Sequence, residues 1–323
     1  MTAAGGVSKK PWWPWIKRVV VLGFLAFVIT LLVIQAGAID WSDVMKTLRE
    51  YPLKVLLLGA ALAGLSHLIY STFDLVGRHY TGHKLPAPTV MAIAFVSYAF
   101  NLNFGTLVGA LGMRVRLYSR LGLETATIAR VVGSSMLTNW LGYFLLAGSA
   151  FLFWPLELPA SWHLGVAALR VVGSILMLVA LAYLLLCAFS TRRELTLRGQ
   201  EIALPAVPVA LVQLMLSCAN WAVMGATMYV LLLGKVSYPM ALGALLIGAV
   251  AGLVSRVPAG LGVLEAVFIA VLSPPLGHSA SIAAVLCYRA MYYWVPLAIA
   301  AALYLLMEMN AKKLAAATTA PAP

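Results

Sequence analysis

Runs of uncharged, apolar residues long enough to cross a bilayer recur along nearly the whole chain. They constrain the fold more than any single motif does. The hydrocarbon core is about 30 Å thick, so a helix of about 20 residues spans it. With 63% of residues hydrophobic and 10% charged, the chain is no soluble domain. It is read as an all-α polytopic membrane bundle. The formal charge of +12 does not point to nucleic acid, because the basic residues gather in short segments between spans, where the positive-inside bias puts them. Cys187, Cys218 and Cys287 lie in apolar helices without metal or redox spacing. Lys9, Lys10, Lys17 and Arg18 precede the first run. Ala36-Gly37-Ala38 resembles a cleavage site, but the run before it exceeds the h-region of a signal peptide, so an uncleaved first span is expected.

One apolar run breaks the pattern. Between residues 238 and 272 stand Arg256, Pro258, Gly260, Gly262 and Glu265. A charge at the bilayer centre costs about 2.5–3.5 kcal/mol even on the lenient insertion scale. Broken backbone at that depth is tolerated only where protein or trapped water satisfies it. Residues 89–112 pose a related problem, with Asn101, Asn103 and Gly105 near their middle. If 89–112 crossed the membrane, Arg114, Arg116, Arg120, Arg130, Arg192, Arg193 and Arg198 would all be stranded outside. If the segment dips in and returns, they lie in the cytoplasm, as the positive-inside bias requires.

The resulting expectation is six full spans, at 19–39, 53–76, 127–154, 163–189, 206–233 and 279–307. Two re-entrant helical hairpins join them, at 89–112 and 238–272. Both termini are cytoplasmic. After a basic N-terminus (1–18), residues 19–158 and 159–312 form two repeats of inverted topology, and 313–323 form a disordered tail. Paired interrupted segments in two inverted halves are the best sequence pointer to a transporter's binding site.

At those segments the chain resembles a known family. Pro258-Ala259-Gly260-Leu261-Gly262-Val263-Leu264-Glu265 matches a glycine-rich hairpin signature. Tyr98-Ala99-Phe100-Asn101, Gly112-Met113-Arg114, Arg116 to Gly122 and Thr138-Asn139-Trp140-Leu141-Gly142-Tyr143 extend the likeness over nearly the whole chain. It is similar to the lysylphosphatidylglycerol synthase transmembrane-region family, the flippase half of bacterial MprF proteins. The resemblance implies transbilayer movement of phospholipid in a bacterial inner membrane. Ala259 stands where the family often has glycine. Met113 stands near a common glutamate, and the first hairpin lacks a proline. No soluble transferase domain is expected to follow the last span.

The candidate substrate-binding residues follow from chemistry. Gly260 and Gly262 permit a tight reversal, and a half-helix beginning near Gly262 would offer free N–H groups to an anion. Arg256 adds a planar donor fork suited to phosphate. Glu265 caps that helix, pairs with Arg256 or gates by protonation; mutual pairing of Arg256 and Glu265 is the plain structural alternative. Asn101 and Asn103 form the matching polar tip. Arg114 and Arg116, with Arg120, present a basic face to anionic headgroups or simply fix topology. Arg289 and Tyr292 lie in the last span, and Arg289 pairs with Glu265 or Asp74 or faces the same cavity as Arg256. Asp74 and Arg78, at i and i+4, are expected to pair, and His67 to pack. No cofactor, metal site or catalytic grouping is indicated. The expected partners are membrane phospholipid, a lipid-synthesis enzyme and a second copy of the chain. A non-transporting scaffold and an integral-membrane lipid-modifying transferase are the rival functions.

Overall fold

The computed structural model describes residues 41–154, 156, 158–159, 162, 165–190, 194–197, 200–255, 260 and 262–319. The span expected at 19–39, together with Arg256 and Pro258, lies outside them. The described chain begins with α1 (Trp41–Arg49), α2 (Leu53–Ser71) and α3 (Phe73–Thr81). α4 (Ala87–Phe104) is followed by a π-helical segment (Leu107–Met113) that leads directly into α5 (Arg114–Arg120). Two long helices come next, α6 (Thr125–Phe153) and α7 (Val166–Phe189). A short antiparallel ladder, β1 (Glu194–Leu197) with β2 (Gln200–Ala203), closes the connection after them, with Glu194 opposite Ala203. The second part holds α8 (Val207–Leu231), α9 (Tyr238–Ser255), α10 (Val263–Leu276) and α11 (His278–Arg289). A second π segment (Ala290–Trp294) then runs into α12 (Val295–Thr319). Among the described residues, seven helical stretches are long and apolar enough to cross a membrane. Five correspond to expected full spans and two, α4 and α9, to the first arms of the expected hairpins. The tail expected to be unstructured from residue 313 is helical as far as Thr319, in keeping with its run of alanines.

The two interrupted runs are helical hairpins. Gly105 ends α4 with φ 84°, a left-handed value that a side chain resists, and the backbone reverses there. Gly109, four residues past the turn, lies so close to Phe100 and Asn101 that a Cβ would overlap their backbone. At the other end of the hairpin, Val90 and Ile93 pack with Leu117, Tyr118, Ile128 and Val131. Residues 87–120 therefore leave one end of the bundle and come back to it. In the second hairpin, Gly252 faces Gly260, and a Cβ on Gly248 would lie 2.6 Å from Leu264 Cδ1, so α9 and α10 run antiparallel to each other. The return arm α10 has 14 residues, about 21 Å at 1.5 Å per residue, too short to cross.

The hairpins start from opposite ends. α2 begins beside the end of α8, where the Tyr51 hydroxyl donates to the Leu231 carbonyl at 2.6 Å, and α9 starts just beyond it. α3 ends where Arg78 Nε donates to the Leu85 carbonyl at 2.8 Å, and α4 starts there. Close contacts of small residues hold the long helices, with Gly148 against Gly173 and Gly142 against Ser217 and Cys218. In lipid, such close backbone approach replaces the hydrophobic drive between helices. Gly109→Ala is expected to destabilise the protein by more than the about 1–3 kcal/mol typical of overpacking, because backbone cannot rotate aside. A detergent thermal melt reads the effect; an unchanged midpoint would mean that the hairpin does not close at Gly109.

Candidate functional site between the hairpin tips

Both tips reach one cavity of about 530 Å³. Asn101, Gly105 and Thr106 line it from the first hairpin, and Gly252, Gly260 and Leu264 from the second. Tyr70, Tyr98, Trp140, Trp221 and Tyr293 form an aromatic part of the remaining wall, with Asn139 beside Trp140, and Met224, Leu245 and Ala249 form an aliphatic part. Phe104, Leu107 and Leu253 at the rim are exposed, so the cavity opens toward the bundle surface. Among the described lining residues none is charged.

The charged residues stand behind this lining. Glu265 Oε2 accepts from the Gly262 backbone N–H at 2.9 Å and so caps α10 at its first turn. Gly262 itself adopts φ 77°. Arg289 Nε donates to Glu265 Oε1 at 2.6 Å, and its Nη2 reaches Glu265 Oε2 at 3.1 Å and the Gly260 carbonyl at 3.0 Å. The Arg289 guanidinium also lies over the Tyr293 ring, 4.4 Å from its centroid, a cation–π contact. Of the partners open to Arg289 in the sequence, the structure selects Glu265. Arg289 is 2% exposed and is committed to holding the second tip.

The first tip is held by the same stretch. Asn103 Nδ2 donates to the Ala99 carbonyl at 2.8 Å and to the Tyr293 carbonyl at 3.2 Å. The π segment 290–294 thus straps the tips together: Arg289 just before it grips the second, and the Tyr293 carbonyl grips the first. One extra residue per turn re-aims the side chains that follow, and π-bulges recur at functional sites for that reason. Tyr292 consequently points away from the cavity. Its hydroxyl meets Ser66 Oγ at 2.7 Å and Tyr98 Oη at 3.0 Å, and Ser66 in turn donates to Asn220 Oδ1 at 2.7 Å. Tyr292 was a binding candidate; its neighbour Tyr293 takes the cavity position. His67 packs among Phe95, Tyr98 and Tyr292, as expected, with Nδ1 against the Ala63 carbonyl.

Two further expectations need correction. Asp74 does not pair with Arg78. It accepts two prongs from Arg114, with Nε to Oδ2 and Nη2 to Oδ1 both at 2.9 Å, and a hydrogen bond from the Tyr118 hydroxyl at 2.9 Å. Arg114 also donates to the Ala110 carbonyl and Ser135 Oγ. At 1% exposure, against 0% for Asp74, it is no surface collector of headgroups. Helix spacing put Arg78 nearest to Asp74, but the returning hairpin brings Arg114 into the interior with a matching fork, while Arg78 stays near the surface and finds a carbonyl. Arg116 keeps its predicted surface place. It holds Glu308 of α12 through Nε and Nη2 at 3.1 and 2.9 Å, and Arg120 pairs with the same carboxylate.

The aromatic half of the cavity went unrecognised in the sequence, although a signal was there. Trp residues of membrane proteins concentrate at the interfaces, whereas Trp140 and Trp221 fall near the middles of α6 and α8. Trp221 Nε1 donates to the Asn139 carbonyl at 3.1 Å, which locks the two helices behind the cavity.

The chain is similar to known proteins over most of its length. Inner membrane protein YbhN of Escherichia coli (strain K12) is 46% identical over 307 residues, covering 95% of this chain and 96% of that protein. The Synechocystis protein slr0712 is 31% identical over 278 residues, covering 83% and 86%. The profile of the lysylphosphatidylglycerol synthase TM region matches residues 15–300, a stretch that contains both hairpins, the strap and the aromatic cavity, and the chain belongs to that family.

Proposed function

We propose that this protein is a lipid translocator of a bacterial inner membrane, passing a phospholipid headgroup between leaflets while the acyl chains stay in lipid. The observation that carries the reading is the convergence of two hairpin tips, started from opposite ends of the bundle, on one partly open cavity. Helices beginning at Leu53, Ala87 and Thr125 recur at Val207, Tyr238 and His278, offsets of 154, 151 and 153 residues. That regularity supports two inverted repeats with the hairpins re-entrant, and an orientation with both termini in the cytoplasm follows from the basic segments. Inverted repeats with broken helices at the midplane are the architecture of alternating access. The inner-membrane assignment draws on the name of the Escherichia coli relative. Arg256, in the sequence between α9 and α10, is proposed to take the phosphate, and the strap at 290–294 to make the tips move together. The protein acts as a carrier and not as an enzyme in this reading, and needs no cofactor.

The test is reconstitution in liposomes with a leaflet-specific probe of labelled phospholipid. Exchange between leaflets should rise with protein content. Equal exchange in empty vesicles and proteoliposomes sinks the translocator.

A further inference from the structure

We propose that Arg116, Arg120 and Tyr304 form a second anion site, away from the cavity, for the phosphate of an anionic membrane phospholipid, and that Glu308 occupies it as a tethered competitor. The site rests on the orientation proposed above, which puts the ends of α5 and α12 at the cytoplasmic leaflet. Four donors converge on one carboxylate. Arg116 Nε and Nη2 donate to Glu308 Oε1 at 3.1 and 2.9 Å, the Tyr304 hydroxyl donates to the same oxygen at 2.5 Å, and Arg120 Nη1 donates to Oε2. The Arg116 guanidinium also lies over the Tyr304 ring, 5.6 Å from its centroid. Planar donor forks of this kind fit a phosphate as they fit a carboxylate. Two guanidiniums face one carboxylate, and among the described residues no second acidic side chain pairs with either. One positive charge is left over, which draws a further anion to the cluster.

The surroundings select a lipid over a soluble anion. Leu305 and Met309 beside Glu308, and Leu121 next to Arg120, are exposed, at the end of a helix apolar enough to span. Acyl chains below a bound headgroup would cover such a surface, which free phosphate leaves bare. The energies are balanced for exchange. Arg116 is 53% exposed and Arg120 40%. Exposed ion pairs contribute little net stability, and an arginine gains about as much beside an anionic leaflet. Glu308 therefore holds both arginines in a neutral leaflet and yields them in an anionic one. Leu303, Tyr304 and Met307 remain packed on the core of the first hairpin, so the exchange slackens the link between α5 and α12 without unfolding it. Because α12 continues from the strap that holds both tips, the composition of the inner leaflet gains a route to tip movement.

The experiment uses the full chain with Cys187, Cys218 and Cys287 replaced by alanine and spin labels at Ser119→Cys and Met309→Cys, two exposed positions flanking the cluster. Pulsed electron resonance reads the distance between them in lipid nanodiscs of phosphatidylcholine, with phosphatidylglycerol added in steps at constant ionic strength. The ratio of long to short distances should rise by about fivefold or more, the gain of one arginine at an anionic surface. In Glu308→Gln, and in the double variant Arg116→Gln with Arg120→Gln, the long distance should prevail at every composition. Both pairs lie at the surface, so these variants keep the fold. A distance that ignores phosphatidylglycerol in the parent protein overturns the site. So does a response that survives Glu308→Gln unchanged, or equal opening by inorganic phosphate in pure phosphatidylcholine. A latch that opens in protein without any leaflet exchange in vesicles keeps the site and removes the translocator. Exchange with an unresponsive latch does the reverse.

Discussion

Arg114→Ala is expected to lower the stability of the fold by about 3–5 kcal/mol, the cost of removing one partner from a buried ion pair. In a detergent melt this should appear as a large drop in midpoint or as loss of folded protein. Attraction alone is not the cause. Both groups are almost wholly out of solvent, and desolvating two ions can offset their mutual Coulomb gain. The damage comes from what is left behind, an Asp74 carboxylate inside the bundle with Tyr118 as its remaining partner. The double variant Asp74→Leu with Arg114→Leu should therefore be more stable than either single change, since it removes the charge together with its counter-charge. If the double variant is as damaged as the singles added together, the pair is not the unit that anchors the first hairpin.

Glu265→Gln is expected to lose more function than stability. Glu265 is 26% exposed, so water screens part of the pairing and the expected loss of stability is about 2–3 kcal/mol, below the fully buried case. The functional effect should be larger, because this carboxylate joins the α10 cap to Arg289 and so to the strap that also holds Asn103. Leaflet exchange should fall by about tenfold or more, as expected when a site's supporting contacts slacken by 1 Å. Arg289→Lys provides the companion test. A lysine keeps the charge but has no planar fork, and it cannot bind Glu265 and the Gly260 carbonyl together. It should keep most stability and little exchange. Full exchange in both variants would mean that the strap plays no part in transport.

Much of the architecture could be read from the chain. The spans at 127–154, 163–189 and 206–233 differ from α6, α7 and α8 by no more than three residues at any end, because a long uncharged run has one solution in lipid. The first hairpin was legible through charge: stranded arginines ruled out a crossing, and the chain does return at Gly105. The cap made by Glu265 was also legible, since a carboxylate one turn into a helix that starts at glycine has a free N–H beside it. The pairing of Asp74 was not. Spacing of i and i+4 describes neighbours on one helix, whereas Arg114 comes from a different element 40 residues on.

The sequence by itself determined a helical membrane bundle, its breaks, and the residues at those breaks, because hydrophobic length and backbone satisfaction act locally along the chain. Only the tertiary structure decided which charges neutralise one another and what faces the cavity. Those outcomes depend on rotation about helix axes, and two π segments reset that rotation in ways no periodicity reveals. The second of them buries Tyr292 and presents Tyr293 to the cavity.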